Sequence, residues 1–167
     1  MIKFATRDVL KLSPSKSRYR DAVQALGGAR AINARGGVTF ADMVAAKVRP
    51  NCIIWLATCY CGDADYERRL RLWAADLAAH TLNIFLKVRP DDTRPAAAIS
   101  AARAFARGEI DDAARAAAGA AARDAWDAAW DAAGDAEKQW QVERLAMWMS
   151  DDEPADWPVP EQKEAAA

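Results

Sequence analysis

The sequence predicts an all-α protein, and three observations lead to that fold class. Apolar residues recur at intervals of three and four along several segments, which is the spacing of one helical face. About a quarter of the 167 residues are alanine, the residue with the highest helix propensity. Glycine pairs and prolines interrupt these segments at intervals that suit short helices. We therefore expect a single-domain bundle of about six helices.

Short helices are predicted early in the chain, because N-cap residues and glycine pairs bracket apolar periods there. The predicted helices cover residues 17–26, residues 29–35 and a short stretch from Thr39 onward. Val38 and Met43 have the spacing of a hydrophobic staple around the Thr39 start. Residues 1–16 show no clear period, and only Met1–Phe4 suits a short extended piece. We therefore predict no helix before residue 17.

Longer helices are predicted in the middle of the chain. Pro50 suits a first helical turn. The apolar residues 52–57 that follow form either a buried helix or a buried strand, and their length and neighbours favour the helix. A turn at residues 62–65 precedes a helix over about 66–88, whose core-facing stripe is Leu70, Trp73, Leu77, Thr81, Ile84 and Val88. A further helix begins at Pro95 and closes near Gly108.

The longest predicted helix begins at Asp111 or Asp112 and runs to about Ser150. It would span roughly 60 Å at 1.5 Å per residue, unless it breaks at Gly119 or Gly134. Residues 151–167 combine prolines with acidic residues, which is typical of a loop or a disordered segment. The sequence thus predicts a helical domain over residues 1–150 and a flexible acidic tail over residues 151–167.

Two side-chain patterns share this long helix. Four tryptophans fall within an arc of about 80° at 100° per residue, namely Trp126, Trp130, Trp140 and Trp148. Four aspartates fall on a separate arc, here called the acidic ridge: Asp124, Asp127, Asp131 and Asp135. Three interpretations are open: an ordinary amphipathic helix, a ridge that meets a basic partner or imitates a phosphate backbone, and pairing between two copies. The second interpretation makes the acidic ridge the candidate partner-binding site.

Charge is distributed unevenly along the chain. Residues 1–110 carry 18 Lys and Arg against 10 Asp and Glu, whereas residues 111–167 carry 5 against 14, although the formal net charge is −1. The two parts either neutralise each other within the fold or present a charged face to a partner. The alternative candidate site is a nucleic-acid-binding surface formed by Lys11, Lys16, Arg18, Arg20, Arg30 and Arg35. A solvated basic face explains the same residues, and no recognised DNA-binding motif accompanies them.

Composition and motifs argue against most enzymes. The apolar content excludes a disordered chain, and the balanced charge excludes a uniformly basic nucleic-acid binder. Cys52, Cys59, Cys61 and His80 have the residue types of a zinc site or a Cys–His nucleophile, but paired Cys-x-x-Cys motifs are missing. We expect no catalytic residue, no metal and no cofactor. An odd cysteine count, no long apolar run and no leader predict a cytoplasmic protein.

Residues 80–145 resemble a known group of proteins. They contain a Pro-Asp-Asp-x-Arg-Pro turn at residues 90–95 and a helix that ends in Ala-Arg-Gly-Glu at residues 106–109. An alanine-rich segment follows and closes near a loosely matched Gln-x-x-x-Arg-Leu element at residues 139–145. Residues 50–56 are similar to a Trp-containing helix that precedes this block. The pattern resembles small helical phage and prophage proteins and a related family of immunity proteins.

The resemblance implies a small, soluble, helical protein and supplies no catalytic residues. It favours a non-enzymatic, protein-binding inhibitor of phage or prophage origin that blocks a host defence complex, as anti-CRISPR proteins do, through a charged helical surface. The alternatives are an immunity protein that neutralises a cognate toxin and a nucleic-acid-binding accessory protein that uses the basic first third. The expected partner is therefore a host protein or a toxin and not a membrane, while nucleic acid and a homodimer stay open.

Overall fold

The computed structural model describes residues 2–111, 113, 135–150 and 154. These residues form eight α-helices and no strand, which confirms the all-α class for the described part of the chain. The helices are α1 (Thr6–Lys11), α2 (Lys16–Ala25), α3 (Ala29–Ala34), α4 (Phe40–Ala45), α5 (Pro50–Cys59), α6 (Ala64–Val88), α7 (Arg94–Ala106) and α8 (Asp135–Trp148). One isolated antiparallel bridge joins Phe4 to Val38.

The chain divides into two compact units, and the division falls within α6. The first unit consists of Met1–Leu70 and Gly134–Glu153, and the second of Arg71–Ala133 and Pro154–Ala167. The predicted flexible tail lies outside the described residues except for Pro154. Its flexibility therefore stays a prediction.

The core of the first unit forms where α8 packs against α4 and α5. Edge-to-face ring contacts join Phe4 to Phe40 and to Tyr60, each with centroids 5.0 Å apart. The buried Tyr66 hydroxyl donates a hydrogen bond to the Ala57 carbonyl oxygen at 2.7 Å. Around these rings lie further fully buried side chains, among them Ile53, Val142, Leu145 and Trp148. The start of the chain is thus fixed onto α4 and α5.

Capping signals place the short helices where the sequence predicts them. Gly27 and Gly28 have φ of +85° and +93°, and they separate α2 from α3. The Thr39 hydroxyl accepts from the Asp42 backbone N–H at 3.1 Å, and the Asp42 carboxylate accepts from the Thr39 N–H at 2.8 Å. Pro50 is the first residue of α5, so the helical interpretation of residues 52–57 is confirmed.

One helix was missed by the sequence analysis. Helix α1 has only six residues and no buried side chain, so it leaves no apolar period to detect. The prediction that residues 1–16 contain only a short extended piece is wrong for Thr6–Lys11, although Phe4 does make the bridge expected of an extended residue. An Asn33 side chain anchors the helix start, because its Oδ1 accepts from the Thr6 hydroxyl at 2.9 Å.

The apolar stripe predicted on α6 is incomplete. Trp73 and Leu77 are buried as expected, whereas Leu70 and Thr81 are only half-buried. The side chains of Ile84 and Val88 lie outside the described part of the chain. Burial also extends to positions outside the stripe: Tyr66, Leu72, Ala75, Asp76, Ala79 and Leu82. A stripe of 3.6-residue period describes a helix that is buried on one face, and α6 is buried on more than one.

The tryptophan arc is described only in α8. Trp148 is 1% exposed and belongs to the core of the first unit, which agrees with the amphipathic-helix interpretation at this residue. Trp140 is half-buried. Trp126 and Trp130 lie outside the described residues, and so does most of the predicted long helix.

Candidate binding site

The acidic ridge proposed from the sequence falls largely outside the described residues. Asp124, Asp127 and Asp131 lie there, and only Asp135 is placed, as the first residue of α8. The ridge as a binding surface stays a prediction.

Three of the six basic candidates are engaged locally, and one of them is Arg20, whose Nε atom lies 3.8 Å from Oδ1 of Asp21. The Lys11 ammonium lies 3.2 Å from the Asp8 carboxylate within α1. The Arg35 guanidinium donates to the carbonyl oxygens of Leu26 at 3.0 Å and Ala31 at 3.3 Å, and it thereby satisfies acceptors near the ends of α2 and α3. These contacts give all three residues a structural role within the first unit.

The basic candidates on α2 and α3 lie at different helix positions. Lys16 and Arg20 are four residues apart and so lie on one face of α2, whereas Arg18 lies on another face. Arg20 and Arg18 accordingly line two separate depressions. Arg30 is exposed on α3. The nucleic-acid-binding surface formed by the six residues stays a prediction.

Arg18 instead joins two cations that the sequence analysis did not single out. A recess of about 360 Å³ lies between α2, the start of α5 and α8, and it is called here the cationic recess. Its lining residues are Arg18, Arg49, Pro50, Asn51, Cys52, Lys138 and Gln139, with no acidic side chain among those described. Lys138 and Gln139 come from a distant part of the sequence, so no local motif could reveal this cluster.

The electrostatics of the cationic recess favour an anion. Arg49 is the N-cap residue of α5, where the helix dipole adds a partial positive charge. Its Nη2 atom lies 2.8 Å from Oδ2 of Asp21, and both side chains are largely exposed. The Arg18 side chain makes no ion pair or hydrogen bond with any residue that the structure describes. Arg18 is thus the cation most available to a ligand.

An apolar cavity of about 80 Å³ adjoins the cationic recess beneath α2. Helix α2 contributes no fully buried side chain, so it packs loosely over this space. Aliphatic and aromatic side chains dominate the lining, including Val9, Tyr19, Ala22, Val23, Val48 and Trp55. Arg18 and Cys52 line both the apolar cavity and the cationic recess. The two spaces are therefore neighbours.

The Pro-Asp-Asp-x-Arg-Pro turn in the second unit is a helix-initiating structure. Asp92 accepts from the Arg94 backbone N–H at 3.1 Å and binds its guanidinium through both carboxylate oxygens, at 2.8 and 2.6 Å. These hydrogen bonds from Arg94 lower the pKa of Asp92 to about 2. Pro95 follows at the first turn of α7 and is buried. The turn therefore orients the start of α7.

The Ala-Arg-Gly-Glu element ends the same helix. Gly108 has φ of +75°, and its N–H bonds to the Phe105 carbonyl oxygen at 2.9 Å. The N–H of Glu109 bonds to the Ala104 carbonyl oxygen at 2.9 Å. This double closure is the Schellman motif, which requires a residue that tolerates positive φ. The motif residues that carry the family resemblance thus start and stop α7.

Two side chains of opposite charge are buried in the second unit and interact electrostatically. Asp76 on α6 is 0% exposed, and Arg103 on α7 is 5% exposed. Burial lowers the pKa of Arg103 to about 10, while the negative charge of Asp76 opposes that decrease. Near this pair the apolar cluster of Ala79, Leu82 and Ile99 joins the two helices. Neither charged side chain is open to a substrate, so the pair is structural.

The thiols and the histidine do not form the zinc site considered above. Cys59 and Cys61 are exposed, Cys52 is half-buried, and all three are free. His80 is exposed and belongs to the second unit. Within the described ranges, no group of three or more His, Cys, Asp or Glu side chains is placed to hold a metal ion. The search for membrane spans in the same ranges found no helix long and apolar enough to cross a bilayer.

Comparison with known protein families gives one match. Residues 63–138 match the family described as Imm-5 like putative immunity protein. The matched range contains the turn at residues 90–95 and the helix end at residues 106–109, and it stops before the loosely matched element at residues 139–145. Comparisons with curated proteins and with solved structures found no match. The resemblance to immunity proteins is therefore confirmed for this range.

Proposed function

We propose that this chain, whose residues 63–138 carry an Imm-5 like immunity domain, is a non-enzymatic immunity protein that binds and neutralises a toxin protein. The family match is the observation that carries the proposal. An immunity protein acts by stoichiometric binding, so it needs a rigid complementary surface and no reacting groups.

The geometry of the second unit agrees with a binding role. Asp92, Arg94 and Gly108 fix the ends of α7, and Asp76 and Arg103 are buried between α6 and α7. These residues therefore define helix ends or lie in the interior, and they are not directed at a substrate. A rigid pair of helices of this kind presents a preformed face, which reduces the entropy lost on binding.

We further propose that the protein acts in the cytoplasm of a bacterial cell. Its three cysteines are free, and thiols persist in a reducing compartment. There it would meet the toxin before the toxin reaches its own substrate.

The test is co-expression with the products of the neighbouring genes. A product that stops bacterial growth alone should be tolerated when this chain is co-expressed, and the two proteins should purify together in equal amounts. A matched control is the unrelated immunity protein of another toxin. The proposal fails if every toxic neighbour stays toxic in the presence of this chain, with the chain shown to be folded and abundant.

A second candidate partner is a host defence complex, inhibited in the manner of an anti-CRISPR protein. Residues 111–167 carry 14 acidic against 5 basic residues, which favours this candidate, because a strongly acidic segment can compete for a surface that binds a phosphate backbone. Phage plating on a host with an active defence system separates the two. Increased plating on expression of this chain supports inhibition of defence, and unchanged plating contradicts it.

A further inference from the structure

The apolar cavity and the cationic recess form one composite site in the first unit. They share Arg18 and Cys52. When one group of a ligand enters the apolar cavity, the adjacent groups of the same ligand therefore lie in the cationic recess. No described side chain fills either space. A ligand for the composite site must therefore combine an apolar part with a charged part within a few ångströms.

The size of the apolar cavity limits the apolar part. A cavity of roughly 150 Å³ lined by aliphatic and aromatic side chains takes benzene. The apolar cavity here encloses about 80 Å³, little more than half of that. It suits a branched aliphatic group of the size of a leucine or valine side chain, and a large aromatic ring does not fit without movement of α2.

The positive charge of the cationic recess determines the charge of the second part of the ligand. Arg18, Arg49 and Lys138 line it, and the Asp21 carboxylate lies 2.8 Å from the Arg49 guanidinium. Guanidinium groups bind carboxylates through two parallel hydrogen bonds, which is stronger than a single neutral hydrogen bond. A carboxylate next to the aliphatic group therefore complements the cationic recess.

We propose, resting on the proposed function, that the protein partner docks here through one aliphatic side chain flanked by acidic residues. The aliphatic side chain enters the apolar cavity beneath α2, and the carboxylates bind Arg18 and its neighbours in the cationic recess. A nucleic acid offers phosphates for the recess but no branched aliphatic group for the cavity, so the pair of spaces favours a protein. The family match covers residues 63–138. Among the described residues that line the two spaces, Lys138 alone falls within that range.

The test is an NMR titration of the full-length, isotopically labelled protein with short synthetic peptides. The probe peptide contains Asp-Leu-Glu between glycines, and two control peptides contain Lys-Leu-Lys and Asp-Ser-Glu. The Asp-Leu-Glu peptide should shift the amide signals of α2 and of the start of α5, and each control peptide should bind at least about tenfold more weakly. Equal binding of all three peptides, or shifts confined to other elements, would overturn the proposal.

Variants provide the second arm of the same test. Arg18→Glu reverses the charge of the shared residue, and Ala22→Leu fills the apolar cavity, so each should weaken the Asp-Leu-Glu peptide by about tenfold or more. Arg20→Glu is the matched control on the same helix, because Arg20 lines a different depression and should leave the affinity nearly unchanged. A short DNA duplex that shifts the same amides more strongly than the peptide would overturn the choice of a protein partner.

The peptide titration and the co-expression test fail independently. If a neighbouring toxin is neutralised but Arg18→Glu and Ala22→Leu neutralise it equally well, the proposed function stands and this docking site is wrong. If every toxic neighbour stays toxic in the presence of this chain but the peptide binds as described, the site stands and the immunity function is wrong.

Discussion

The Nη2 atom of Arg49 lies 2.8 Å from Oδ2 of Asp21, and this ion pair joins the start of α5 to the middle of α2. It holds one cation of the cationic recess in place while it neutralises part of its charge. Both side chains are largely exposed, so the pair contributes little to stability and more to the field of the recess.

Replacement of Asp21 separates these two effects. Asp21→Asn should change the free energy of unfolding by less than about 1 kcal/mol, because exposed ion pairs are weak. It should also increase the affinity for the Asp-Leu-Glu peptide, because the recess gains net positive charge. Urea denaturation and the NMR titration measure the two quantities. Asp8→Asn, which removes a carboxylate paired with Lys11 in α1, is the matched control and should leave the affinity unchanged.

Glycine at position 37 is required by both backbone and space. Gly37 has φ of +116°, and a Cβ atom there would lie 3.0 Å from the backbone carbon and oxygen of Phe4. Gly37→Ala should therefore destabilise the first unit by about 2–3 kcal/mol in urea denaturation. Gly36→Ala is the control, because Gly36 has φ of +71° and open space around its Cβ position. It should cost about 1 kcal/mol, and an equal cost for both variants would show that Phe4 does not crowd position 37.

The Asp92–Arg94 pair predicts a step in acid stability. The folded-state pKa of Asp92 is about 2, below the ordinary value of 3.8 for an aspartate, so the pair stabilises the fold above about pH 4. This stabilisation is lost as the pH falls through about 2. Thermal melts between pH 5 and pH 2 should show a smaller loss of Tm for Asp92→Asn than for the unchanged protein. Asp91→Asn is the matched control, and a loss as small as that of Asp92→Asn would contradict the assignment.

The buried pair in the second unit predicts strong non-additivity. Arg103→Met leaves the Asp76 carboxylate buried without the nearby guanidinium, which should cost about 3 kcal/mol or more. The double variant Asp76→Leu with Arg103→Met removes both charges and should recover most of that loss. Urea denaturation of the two single variants and the double variant gives the coupling energy. Additive effects would show that the two charges do not stabilise each other.

The parts of the fold with local signals were predictable. Gly27-Gly28, Thr39 with Asp42, and Pro50 mark helix ends through backbone geometry and capping, and the structure places helix ends at these residues. Helix α1 was missed because six residues without a buried side chain carry no apolar period. The burial of α6 on more than one face was not predicted, because a single sequence shows the apolar period of a helix but not how many other helices pack against it.

The candidate site was less predictable than the fold. Arg18 was singled out, but it was grouped with Lys16 and Arg20 by sequence proximity, although two residues along a helix turn a side chain to another face. Arg49 and Lys138 were overlooked, because their approach to Arg18 depends on the packing of α8 against α5. Long-range contacts of this kind have no sequence signal in one chain.

Calorimetric titration of the purified chain with each toxic product of its neighbouring genes is the sharpest test of the proposed immunity function. We expect a 1:1 complex with a dissociation constant well below about 1 μM, because neutralisation at cellular concentrations requires tight binding. It also predicts that Arg18→Glu binds about tenfold or more weakly while its Tm is unchanged. If the folded chain gives no heat of binding with any toxic neighbour, the proposed immunity function is wrong.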